Sequence, residues 1–163
     1  MLPLVERNAI KHLMEQEIVP AIGCTEPIAV ALCTAKASEL LEHQPEKVDV
    51  FLSPNVIKNA MGVGIPGTGM IGLPIAIALG ALIGKSEYEL EVLRDFNDND
   101  LEQAKQFIED GKIDISVKEA ISDILYIETI CYANGNCVKT VISGLHTFFS
   151  LIEINGIVVE SKK

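Results

Sequence analysis

Basic residues are scarce in this sequence. Thirteen lysines and arginines face twenty-three aspartates and glutamates, a formal net charge of −10 at neutral pH. A chain that acidic repels a phosphate backbone, which argues against a nucleic-acid partner, and it has no polybasic face for anionic lipid. Cysteine is sparse as well. Cys24, Cys33, Cys131 and Cys137 include no CxxC pair, so zinc-ribbon and thioredoxin readings fail on spacing. The N-terminus lacks the apolar run of a secretory signal, because Glu6, Lys11, Glu15 and Glu17 interrupt every candidate. Internal repeats, low-complexity tracts and linkers are missing too. These absences lead to the expectation of a cytoplasmic protein, whose reducing surroundings disfavour disulfides.

What is present is a large apolar fraction. Hydrophobic residues make up 48% of the 163 residues, too many for a disordered chain. The length suits one domain, and a domain of this size removes roughly two thirds of its unfolded-chain surface from water. From Asn59 to Gly84 no residue is charged, a run long enough to span a bilayer. Gly62, Gly64, Gly67, Gly69 and Gly72, with Pro66 and Pro74, break up its first half. Each weakens the continuous backbone ladder that lipid demands. Only 72–83 reads as helical, and that is too short to span. The run is therefore read as a buried glycine loop followed by a core helix, with no membrane partner.

Periodicity orders the rest. Residues 3–17 space Leu4, Ile10, Leu13 and Met14 as one face of a helix. After the break at Val19–Cys24, Thr25 caps a second helix, with Glu26 and Pro27 in its first turn and an end near Glu42. Its segment Ile28–Cys33 is apolar all round and should be buried. Lys47–Leu52 alternates as a strand with Val48, Val50 and Leu52 on one face, and Ser53-Pro54-Asn55 ends it. Two short helices are expected near 87–96 and 101–110, with Asp100 as a cap and Gly111 as a stop. From Ile113 the pattern turns to strands, with hairpin signals at Asn134-Gly135 and Asn155-Gly156. The expected class is α+β: N-terminal helices and a glycine-rich loop packed on a mainly antiparallel sheet from 113–160.

The first hairpin carries a sharper expectation. With a two-residue turn at Asn134-Gly135, Ala133 faces Asn136 and Cys131 faces Val138. One face then holds Ile127, Thr129, Cys131, Val138, Thr140 and Ile142; the other holds Glu128, Ile130, Tyr132, Cys137, Lys139 and Val141. Cys131 and Cys137 point to opposite sides and cannot bridge. A three-residue turn would put them on the same side.

The chemistry-bearing residues are few. Gly62-Val63-Gly64-Ile65-Pro66-Gly67 matches GxGxxG literally, but it neither ends a strand nor opens directly into a helix, so a dinucleotide fold is rejected. Gly84-Lys85-Ser86 resembles the end of a phosphate loop, yet Leu79 stands where its first glycine should be. Glycines before a helix start still suit an anion pocket, or else a tight structural crossover. Cys24 precedes a helix whose dipole would lower a thiol pKa, or it is inert packing. Cys33 reads as core. His146, after Gly144 and before Phe148-Phe149, points into a site or is a satisfied structural histidine. Lys58 and Asn59, beside the glycine loop, orient a ligand or are simply solvated.

Three blocks carry a resemblance. Pro20-Ala21-Ile22-Gly23-Cys24-Thr25-Glu26-Pro27 with its Ala-rich helix resembles the N-terminal signature of the iron–sulfur L-cysteine desulfidases, relatives of the iron–sulfur L-serine dehydratases. Asn55-Val56-Ile57-Lys58-Asn59-Ala60-Met61, through Gly62–Pro74, is similar to that family's glycine-rich motif, and Ser143–Thr147 to a weaker third block. The resemblance implies a lyase of amino-acid catabolism. It would β-eliminate a small L-amino acid, taking L-cysteine to pyruvate, ammonia and sulfide or L-serine to pyruvate and ammonia. In that family three cysteines hold a [4Fe–4S] cluster whose open iron is a Lewis acid for the leaving group.

By the same resemblance Cys24 is the catalytic and cluster-ligating residue. Asn55, Lys58, Asn59, Gly62, Gly64, Gly67, Thr68, Gly69 and His146 are the expected substrate-binding groups, with Cys24 close to the loop. Members of the family are longer, and Cys33, Cys131 and Cys137 match none of their remaining ligands. The chain thus resembles an N-terminal domain awaiting a C-terminal domain or second subunit, with a homo-oligomer as the other expected assembly. No cluster and no activity are expected of it alone. The alternative is a non-catalytic ligand-binding or subunit-docking module, related to the small domain of the serine dehydratases.

Overall fold

An Ala-rich run has little side chain to hold helices apart, and the fold is built on that. The computed structural model describes residues 25–60, 64–65, 70–71, 73–93, 96–118 and 125–161. The helix expected over 3–17 lies outside them, as does Cys24. Helix α1 (Thr25–Leu41) ends where Glu42 turns to a left-handed φ of 66°. Strand β1 (Lys47–Leu52) follows, then helix α2 (Pro54–Ala60), the two-residue strands β2 (Gly64–Ile65) and β3 (Met70–Ile71), and helix α3 (Leu73–Ile83). A 3-10 helix at Ser86–Glu91 and helix α4 (Asp98–Glu109) precede β4 (Ile113–Val117), β5 (Tyr126–Ala133), β6 (Asn136–Ser143), β7 (Phe149–Ile154) and β8 (Ile157–Ser161).

The class is α+β, with one six-stranded sheet in the order β4-β1-β5-β6-β7-β8. Every neighbouring pair is antiparallel except β1 with β4. Strand β1 enters the sheet between β4 and β5, and the other five strands come from residues 113–161, so the sheet is built mainly from the later residues, as expected. The hairpin register is the expected one: Ala133 pairs with Asn136 and Cys131 with Val138. Asn134 and Gly135 take φ of 53° and 78°, both positive, the requirement of the tight turn whose twist suits a two-residue hairpin.

One face of this sheet carries the core. Val48, Val50, Leu52, Ile127, Thr129, Cys131, Val138, Thr140 and Ile142 are all buried there. Helix α1 lies across β5 and β6, α3 packs beside α1, and α4 packs on α3. A helix between a sheet and another helix has no wet side, which is why Ile28–Cys33 is buried throughout. The two polar side chains of α1 that face the sheet are satisfied. Cys33 Sγ lies 3.3 Å from Thr140 O, Thr140 Oγ1 donates to Cys33 O at 2.8 Å, and Thr34 Oγ1 donates to Val30 O at 2.9 Å. On the other face Glu128, 5% exposed, accepts from the Tyr126 hydroxyl at 2.8 Å and lies 3.3 Å from Lys118.

Three local expectations need correction. Pro54 does not simply end β1; it opens α2, a role suited to proline in a first helical turn. The helix expected over 87–96 is a 3-10 helix at Ser86–Glu91, kinked at Glu89 with φ 52°. The cap of α4 is Asn97, not Asp100. Asn97 Oδ1 accepts from Asp100 N at 2.8 Å and Asp100 Oδ2 from Asn97 N at 3.0 Å, a reciprocal box with Asp100 as its far member. Gly111, at φ 72°, does mark the stop.

Candidate functional site

Helices α1 and α3 touch at backbone distance. A Cβ on Gly80 would stand 2.6 Å from Ala31 O, and one on Gly84 would stand 2.8 Å from Ala35 Cβ. Further along, Ser38 Oγ donates to Ala81 O at 2.7 Å, and Glu39 accepts from Ser86 N at 2.7 Å and Ser86 Oγ at 2.6 Å. These contacts climb both segments together, so the helices run parallel. Thr25 is six residues back from Ala31, and Leu73 is seven back from Gly80. At about 1.5 Å per residue, both helices begin ~10 Å from the crossing, at the same end. The positive dipole ends of the two helices therefore lie toward the same end of the pair.

A third element reaches this end. His146, in the loop between β6 and β7, places Nε2 3.6 Å from Glu26 Oε2 in the first turn of α1. The pair is an ion pair when the imidazole is protonated. His146 is about one-third exposed and Glu26 less, so the pair is open to water on one side. The sequence marks Glu26 as a first-turn acid that suits a helix start. Nothing in it connects Glu26 with His146, which arrives through the sheet.

The other expected groups are divided. Gly64 lies in β2, which pairs with β3 as Gly64 with Ile71 and Ile65 with Met70, so the glycine segment contains a small antiparallel ribbon next to the start of α3. Gly62, Gly67, Thr68 and Gly69 lie outside the described residues, and with Cys24 outside them too, the expected closeness of Cys24 to the loop is not described. Asn55, Lys58 and Asn59 share the exposed side of α2, opposite buried Val56 and Ala60. Helix α2 packs against α1 and β1.

A separate cleft of about 580 Å³ lies beside α1, lined by Lys36, Glu39, Lys85, Ser86, Thr147 and Phe149 among others. Lys36 Nζ sits over the Phe149 ring, 5.9 Å from its centroid. Lys85 and Ser86, which fail as a phosphate loop, are brought here by the parallel run of α3. No signal in the sequence joins them to Thr147 and Phe149.

The described cysteines do not fit an iron–sulfur cluster. Cys33 and Cys131 are fully buried, with Cys33 fixed to Thr140. Burial pushes the Cys33 thiol up to about 11, and burial drives Cys131 higher still. Both sulfurs lie in the closed core beneath α1, out of reach of a cluster bound at the surface. Cys137 is half-buried on the opposite face of the hairpin from Cys131. Among the described residues no three His, Cys, Asp or Glu side chains converge as a metal site, and no helix is long and apolar enough to cross a membrane.

Comparison with known proteins gives long relatives. The chain is 60% identical over 144 residues to a UPF0597 protein of Bacteroides fragilis, covering 88% of this chain and 34% of that one. It is 55% identical over all 163 residues to a UPF0597 protein of Phocaeicola vulgatus, covering 38% of it. A UPF0597 protein of Photobacterium profundum is 43% identical over 150 residues, 92% of this chain and 35% of that one. The chain thus spans little more than a third of the length of the curated relatives it matches. No family model matches it, and neither does any solved structure.

Proposed function

We propose that this chain is one part of a cytoplasmic lyase that β-eliminates small L-amino acids, and that its share of the work is to bind and orient the substrate. The observation that carries the reading is the approach of His146 to Glu26 at the start of α1. It unites the third sequence block with the first, beside the start of α3, where the second block ends. Two helix starts at the same end of the α1–α3 pair favour a carboxylate, the group every α-amino acid presents. Glu26 adds a negative charge for the α-ammonium, and His146 is a proton acceptor at the rim.

Cys24, the residue before α1, is the proposed contribution of this chain to a [4Fe–4S] cluster. The described cysteines do not complete one, so the remaining ligands belong to another part of the enzyme, and no step is routed through the cluster. Pyruvate release from L-cysteine and L-serine by the full-length Phocaeicola vulgatus relative, purified without oxygen, tests the reading. Release from at least one is expected. Iron-loaded protein that releases pyruvate from neither overturns it. In this chain Cys24→Ala should leave the melting temperature nearly unchanged, whereas a large drop would make Cys24 a packing residue.

One observation favours a second reading, a non-catalytic small-ligand module. The cleft beside α1 offers two lysines, three glutamates and an aromatic ring in one place. Calorimetric titration of the chain with L-serine separates the two: on this reading Lys36→Ala abolishes binding, and on the first it does not.

A further inference from the structure

Ile157, Val158 and Val159 stand 68%, 52% and 56% exposed, in succession, on β8. Strand β8 is the last in the sheet order, and among the described residues no strand pairs with its outer edge. An unpaired edge offers a row of N–H and C=O groups to any extended chain, and natural sheets guard such edges with charge, proline or bulges. The opposite edge exposes less apolar surface. Strand β4 reads Ile-Asp-Ile-Ser-Val between Lys112 and Lys118, with Val117 its one exposed large apolar residue. Strand β8 likewise has one charged residue, Glu160, with Lys162 and Lys163 after it in the sequence and a bulge opposite the Ile152–Glu153 step of β7; what sets it apart is three exposed large apolar residues against one. A free strand edge whose exposed residues are β-branched is suited to pairing with a further strand, which would cover these side chains from both faces.

Two occupants compete for this edge. A second copy would bring together two chains of net charge −10, which repel. The relatives supply the other candidate, because most of each relative's length lies beyond the region this chain spans. We propose that the outer edge of β8, with Ile157, Val158 and Val159, is the docking surface for the part of the full-length chain that this one does not span. That part adds a strand or apolar segment to the sheet. The inference does not depend on the lyase reading.

Hydrogen exchange over the segment 157–161 tests it in two proteins, this chain and the full-length Phocaeicola vulgatus relative, which aligns with all 163 residues. The β8 amides that do not bond to β7 should exchange about 100-fold more slowly in the relative than in this chain. Equal exchange in the two overturns the proposal. So does protection that rises with the concentration of this chain while sedimentation shows a dimer, because the occupant is then a second copy. Loss of lyase activity would move neither readout, so the two proposals fail separately.

Discussion

Cys33 shows how far burial changes a side chain. Its Sγ lies 3.2 Å from Thr140 Oγ1 beneath α1, and its thiol is pushed up to about 11 by desolvation. A group raised in the folded state contributes stability that is fully present below its unfolded value, 9.0, and is lost as pH rises through the folded one. In that window the unfolded chain binds fewer protons than the native one, so stability falls with pH. Cys131, raised for the same reason, acts in the same direction. Urea denaturation between pH 8 and pH 11 should show a loss on the order of 2 kcal/mol or more from these two thiols, and Cys33→Ala should flatten the slope. A thiol reagent at neutral pH should label Cys137 but leave Cys33 and Cys131 untouched until the chain unfolds. Rapid labelling of Cys33 in the native chain would contradict its burial.

The parallel pair α1 and α3 depends on residues without bulk. At Gly80 any side chain would meet the backbone of Ala31, with O at 2.6 Å and Cα at 3.1 Å, and backbone does not rotate away. Gly80→Ala gains helix propensity worth up to ~1 kcal/mol. Overpacking at the crossing costs about 1–3 kcal/mol, so the net change is a destabilisation of up to about 2 kcal/mol. Urea denaturation measures it, and a stabilised variant would mean that the helices separate freely. The same contact fixes how α1 and α3 lie against each other, so the variant should also weaken a ligand held at their starts. By contrast α4 is fixed locally, by the Asn97–Asp100 box at one end and Gly111 at the other.

The described residues form a sheet with one face covered by helices and an apolar strand, β8, at one edge. It covers little more than a third of its relatives, and its described cysteines are either buried or on the wrong face for ligation. Anaerobic reconstitution of the isolated chain with iron and sulfide, followed by iron analysis and visible absorbance, should give no stoichiometric cluster. A full [4Fe–4S] complement would mean that ligands outside the described residues suffice, and the division of the site between this chain and the rest would be wrong.

Much of this was legible in the residues because the signals are local. The Asn134-Gly135 turn requires two positive φ values, and its two-residue length dictates which of Cys131 and Cys137 faces the core. The alternation of Lys47–Leu52 and the all-round apolar start of α1 follow from burial on one face and on all sides. Helix α2 was not legible: seven residues leave too little periodicity, and Pro54 signals a stop as readily as a start. Nor was the cap of α4, where Asn97 and Asp100 are both good capping residues and only the hydrogen bonds choose between them. The meeting of Glu26 with His146, the parallel run of α1 and α3, and the insertion of β1 beside β4 are long-range arrangements. Their contacts join residues far apart in the chain, and the packing of a whole core, rather than any short pattern, selects them.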